Sequence, residues 1–129
     1  PVKSQSNKEL TSSVYFYVDA TILSKAALMF GKEEDYQYYS KLAEKIKNAI
    51  NAKYLDDETG IYASGTQTEL SVPLMWGVVP EEVKSKVVKN LADKVKQANF
   101  HLDVGVLGAK AILNALSENG EFETALRIR

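Results

Sequence analysis

Residues 65–80 read GTQTELSVPLMWGVVP, and the reading of this stretch decides the fold. Thr66 and Glu69 stand at the spacing of a capping box, where hydroxyl and carboxylate each accept an otherwise unpaired first-turn amide. The run that follows is apolar, with Glu69 its one charge, and it holds the only Trp, Trp76. Pro73 falls inside the predicted helix, where it has no N–H to give the carbonyl of Glu69, so an irregular turn is expected there. Gly77 is a stop. Pro80-Glu81-Glu82 reads as the start of another helix, since Pro at the first helical position loses no hydrogen bond and acids there suit the helix dipole. A buried helix is thus followed by a solvated one.

Working outward, the same alternation recurs. Before the central stretch, Glu33 to about Lys53 predicts an amphipathic helix with Leu42, Ala43, Ile46, Ala49 and Ile50 on one face. Earlier still, about Leu10 to Phe30 predicts a helix buried on most sides. Its stripe is Leu10, Val14, Tyr17 and Thr21, with Val18, Ile22 and Met29 beside it. Gly31 suits its C-terminal end. Residues 1–8 are polar and expected to be disordered. Tyr54-Leu55 and Ile61-Tyr62, flanking the turn Asp56-Asp57-Glu58-Thr59-Gly60, predict a small β-hairpin within 53–63.

After the central stretch, Glu81 to Gln97 predicts a solvated helix with Val83, Val87, Val88, Leu91 and Val95 inward. A fifth helix opens at His101-Leu102-Asp103, with Asp103 as N-cap. It runs through Ile112, Leu113 and Leu116, with Gly105 and Gly108 permitting close packing. A sixth begins at Glu121. The class is all-α: about six helices in three hairpins. Inner helices apolar nearly all round, each backed by an amphipathic outer one, suit a two-layered ring of hairpins. A four-helix bundle needs four similarly amphipathic helices. Helix starts near 10, 66 and 102 are too uneven for tetratricopeptide-type repeats.

The 129 residues suffice for one domain with a core, and residues 1–129 read as a single domain. Net charge is −1 with no long block of one sign, which argues against nucleic acid or an anionic membrane as partner. No apolar run reaches the roughly 18 residues of a membrane span. There is no cysteine, and a lone histidine cannot make a transition-metal cluster, so no metal or cofactor is expected. The compartment stays open. The chain begins at Pro1 without Met and ends inside a predicted helix, so it reads as a piece of a larger protein.

Three strings, TSSVYFYVDATILSKAALMFGKEEDYQYYSKLAEKIKNAINAKYLDDETGIY, GTQTELSVPLMWGVVPEE and HLDVGVLGAKAILNALSENGEFETALRI, together resemble the catalytic region of bacterial α-L-rhamnosidases. The resemblance runs from about Leu10 onward. It implies a fragment of a six-hairpin (α/α)6 toroid from an inverting glycoside hydrolase that removes terminal α-L-rhamnose. Such enzymes carry the general acid in an acidic segment upstream of this part and the general base downstream, so no catalytic residue is expected here. An inverting hydrolase needs both carboxyls, about 6.5–9.5 Å apart. The sugar pocket of such a toroid lies where the inner helices begin. Tyr62, Gln67, Thr68 and His101 are therefore the candidate sugar-binding residues. Thr66, Glu69 and Asp103 share that end, where capping explains them. The partner implied is a rhamnose-containing carbohydrate, and open hairpin edges predict self-association of the isolated chain. The rival reading is a non-enzymatic helical protein-interaction module.

Overall fold

The computed structural model describes residues 6–129, apart from the side chains of Val106 and Leu107. Of the N-terminal segment expected to be disordered, residues 1–5 lie outside the described residues. Asn7 caps the first helix, its side chain accepting from the Leu10 N–H, and Lys8 opens it.

Six helices and one two-stranded ribbon follow in order. They are α1 (Lys8–Met29), α2 (Glu33–Tyr54), β1 (Leu55–Asp56), β2 (Ile61–Tyr62), α3 (Gln67–Met75), α4 (Glu81–Gln97), α5 (Val106–Glu118) and α6 (Phe122–Leu126). The strands pair antiparallel, Leu55 with Tyr62 and Asp56 with Ile61. Helix α1 packs on α2, α3 on α4 and α5, and α5 on α6, so the expected hairpins are present. One core joins them, with Leu10, Val14, Leu70, Leu91, Ile112 and Leu116 at its centre.

The stops follow the glycine logic. After α3, Gly77 takes φ +75°, the left-handed region an L side chain avoids. Its N–H donates to the Leu74 carbonyl and the Val78 N–H to that of Pro73, the paired bonds of a Schellman turn. Helix α3 runs on through Pro73 and ends two residues later, in that terminal turn.

The β-ribbon is fastened to α4. Gly60 has φ +71°, and a Cβ there would stand 2.6 Å from Lys86 Cβ. Asn90 Nδ2 donates to the carbonyls of Thr59 and Gly60 at 2.7 and 3.0 Å.

Helix α1 departs most from its reading. Its buried positions are Leu10, Val14, Ala20, Ser24 and Ala27. Ser24 and Ser40 hydroxyls meet at 2.6 Å, marking the small-residue stripe as the face that meets α2. Phe16, Ile22, Leu23, Leu28 and Met29 are exposed. The helix is therefore not buried on most sides. At the opposite end, Ile112 and Leu116 are fully buried and Phe122 is exposed. Helices α5 and α6 pack on each other there.

Candidate functional site

The start of α3 is the best-defined polar constellation of the described residues. Thr66 Oγ1 accepts from the Glu69 N–H at 3.2 Å, and Glu69 Oε1 accepts from the Thr66 N–H at 3.1 Å, completing the capping box. The same carboxylate accepts from the Ser64 hydroxyl at 2.8 Å and, through Oε2, from the Asn7 N–H at 2.8 Å. Glu69 is 1% exposed. Burial pushes its pKa up, but the hydrogen bonds from Thr66, Asn7 and Ser64 outweigh it and hold the carboxyl below its ordinary range. Glu69 is thus an ionised clasp joining the entrance of α1, the turn at 64–66 and α3. The sequence showed the capping box but not the bond to Asn7, which spans the whole of the first hairpin.

Gln67 makes the second junction. Its Nε2 donates to the His101 carbonyl at 3.2 Å, and its Oε1 accepts from the Asp103 N–H at 3.1 Å. Only 5% of it is exposed. The Gln67 amide is committed inside the protein, to the turn before α5. Tyr62 is likewise held within the fold. Its ring has no exposed surface and its hydroxyl donates to Asn51 Oδ1 at 2.6 Å. Burial, with the Asp57 charge adding, pushes the phenol up, as suits a permanently neutral core donor. Asn51 in turn donates to the Val78 carbonyl at 2.9 Å, so Tyr62 ties α2 to the exit of α3.

Thr68 is half-buried, and His101 and Asp103 are exposed. Asp103 is not the N-cap of α5; Gly105 is. A Cβ on Gly108 would stand 2.6 Å from Thr68 Oγ1 and 2.8 Å from Val104 Cβ, so this glycine lets α5 approach the α3 start. Gly105 has open space instead. Thr66, Gln67, Thr68, His101 and Asp103 are thus gathered at one end of α3 and α5, while Tyr62 sits in the core.

The backbone entering this turn is unusual. Asn99 and Phe100 have φ +54° and +61°. Asn tolerates the left-handed region; for a bulky residue it is a true outlier, costing of order 1–3 kcal/mol. Phe100 is held from the chain's end: the Arg127 guanidinium stacks 4.1 Å from its ring centroid, and the Arg129 N–H donates to its carbonyl at 2.9 Å. Trp76 lies away from the site, edge-on to Tyr15 with its buried Nε1 unpaired.

A separate groove of about 640 Å³ runs between α1 and α2, lined among others by Ser12, Ser13, Phe16, Ile46 and Tyr54. It contains none of the candidate residues. No helix among the described residues is long and apolar enough to cross a membrane.

The model of the bacterial alpha-L-rhamnosidase 6 hairpin glycosidase domain matches residues 1–129. The chain belongs to this family. Among solved structures, it superposes on the alpha-L-rhamnosidase of Dictyoglumus thermophilum with a TM-score of 0.90 at 41% identity, over 99% of this chain and 15% of the other. A Streptomyces avermitilis alpha-L-rhamnosidase complexed with L-rhamnose gives a TM-score of 0.90 at 25% identity, over 98% of this chain and 12% of the other. A Formosa agariphila alpha-L-rhamnosidase is 25% identical over 126 residues, 98% of this chain and 14% of that protein. The chain thus spans about a seventh of its relatives' length. The three hairpins are part of a six-hairpin rhamnosidase domain.

Proposed function

We propose that this chain builds part of the barrel wall and sugar pocket of a glycoside hydrolase that removes terminal α-L-rhamnose with inversion. The observation that carries this reading is the family match along the whole chain. The site chemistry agrees with a wall rather than a catalytic centre. A general acid needs a carboxyl whose pKa is raised. Glu69, Glu9 and Asp56 are all held low: Glu69 by its three donors, Glu9 by hydrogen bonds from Lys53 and Tyr54, and Asp56 by the Thr59 N–H. In this reading the acid and base come from outside this segment. His101, Thr68 and Asp103 form the polar edge offered to sugar hydroxyls.

Two measurements test this. The purified chain leaves aryl α-L-rhamnosides unhydrolysed; turnover abolished by Asp103→Asn would place the catalytic pair inside the chain after all. L-rhamnose shifts the imidazole C–H resonances of His101, unambiguous because it is the only histidine. An unmoved imidazole would remove the sugar edge from this end.

The isolated chain self-associates through the outer face of α1. What supports this is the run of exposed apolar side chains there, with Met29 84% exposed. Contiguous apolar surface of this kind is unusual on monomers. In a six-hairpin ring the same face meets a neighbouring hairpin.

A further inference from the structure

We propose that Gln67 is a positioning residue for the sugar edge: its side-chain amide fixes the turn 101–103, which carries His101 and Asp103. This deepens the reading of that end as a sugar pocket and rests on it. Three independent features converge on the turn. Gln67 grips it from both sides, donating to the carbonyl of His101 and accepting from the N–H of Asp103 at 3.2 and 3.1 Å. The backbone enters it through two successive left-handed residues, Asn99 and Phe100. The chain's last residues hold that entrance, by the Arg127 stack on Phe100 and the Arg129 N–H on its carbonyl.

Strained backbone persists only where its surroundings over-determine it. Here a buried amide from another helix and a C-terminal strap both do so. Yet the residues thus fixed, His101 and Asp103, are exposed. A core needs no such precision for an exposed imidazole; a ligand that must find its hydrogen-bonding partner already in place does.

The test uses the full chain and two variants. In the wild type the Asp103 amide is protected from hydrogen exchange although it lies outside any helix, and L-rhamnose shifts the His101 imidazole. In Gln67→Met, which keeps the volume and loses both hydrogen bonds, Asp103 exchanges roughly tenfold faster, as the loss of one ordinary hydrogen bond dictates. The amides of α4 are unchanged, and the L-rhamnose shift at His101 is lost. If Gln67→Met does not fold, Gln67→Glu serves. It keeps an acceptor for Asp103 and removes the donor to His101, so Asp103 stays protected while the sugar-dependent shift weakens. Unaltered Asp103 exchange in Gln67→Met overturns the latch. A retained rhamnose shift with faster exchange leaves the latch real but overturns its positioning role. A wild-type imidazole that ignores L-rhamnose, with the exchange result intact, overturns the sugar reading and with it that role, leaving Gln67 a tie within the fold.

Discussion

Helices α1 and α3 carry nearly the same message in sequence and meet opposite environments. Both are apolar nearly all round and poor in charge. In α3, Leu70, Ser71, Val72, Pro73 and Leu74 are buried in succession, so every side of the helix is covered. In α1 only one narrow stripe is covered, and Phe16, Ile22, Leu23 and Met29 face outward. An all-round apolar helix reports that it is enclosed in its complete assembly. It does not report that its own chain supplies the enclosure. Helix α3 lies between α4 and α5 of this chain. The outer side of α1 has no such neighbour among the described residues, in agreement with a chain that spans about a seventh of its relatives.

The comparison is broken most severely at Glu69. Replacing it by Ala leaves the N–H groups of Asn7 and Thr66 and the Ser64 hydroxyl without their acceptor in a buried site. A loss of about 3 kcal/mol or more is expected, since each stranded buried donor costs about 1–3 kcal/mol. Urea denaturation at neutral pH measures it. The pH dependence has a definite sign. The folded pKa lies below the ordinary 4.5, so the stabilisation is complete above 4.5 and is lost as pH falls through the folded value. The gap between wild type and Glu69→Gln therefore narrows in acid. A gap that widens in acid would mean the carboxyl is neutral in the folded protein.

Next comes Leu70→Ala, which opens a cavity in the fully enclosed helix. The expected cost is about 3 kcal/mol, within the range of buried Leu truncations. Had α3 an open side like α1, the loss would be well below that.

The close approach of α5 to α3 gives a smaller effect. Gly108→Ala puts a methyl 2.6 Å from Thr68 Oγ1 and 2.8 Å from Val104 Cβ, and the helix must shift. Overpacking of this kind costs about 1–3 kcal/mol. Gly105→Ala meets open space and is the control. Equal melting temperatures for the two variants would refute the close contact.

These cases show what was legible. Caps, stops and the β-ribbon are written in local chemistry: the Thr66–Glu69 box, Gly31, Gly77, and the turn at 56–60 all stand within a residue or two of their expected places. Tertiary choices are not local. The inward stripe of α1 was read as Leu10, Val14, Tyr17 and Thr21; Leu10 and Val14 are buried, but beyond them the helix buries Ala20, Ser24 and Ala27 instead. The same spacing on the same helix allows both choices. At the site, Gln67 had the composition of a sugar ligand, yet its partners are backbone groups more than thirty residues away, whose positions no spacing reveals. Tyr62 is a similar case: α2 brings Asn51 over the ribbon to receive its hydroxyl, a partner no local pattern reveals. Asp103 looked like a cap because it precedes an apolar run; the helix starts later, with Gly105 as its N-cap.

The smallest effect on stability tests the comparison most directly. Ile22→Ser and Met29→Ser remove apolar side chains that are 58% and 84% exposed. Neither touches the stripe at 20, 24 and 27 that meets α2. Each substitution is therefore expected to change the unfolding free energy of dilute protein by no more than about 0.5 kcal/mol, the ordinary range for exposed positions. The same substitutions act strongly on association, because the surface they alter is the one apolar face α1 leaves open. Light scattering across a concentration series separates the two quantities. The wild-type chain gains mass with concentration, and the double variant stays monomeric at matched stability. A wild type that remains monomeric when concentrated would show that the outer face of α1 needs no cover. A double variant destabilised as far as Leu70→Ala would show that the face is already enclosed. Either result would erase the difference between the two helices.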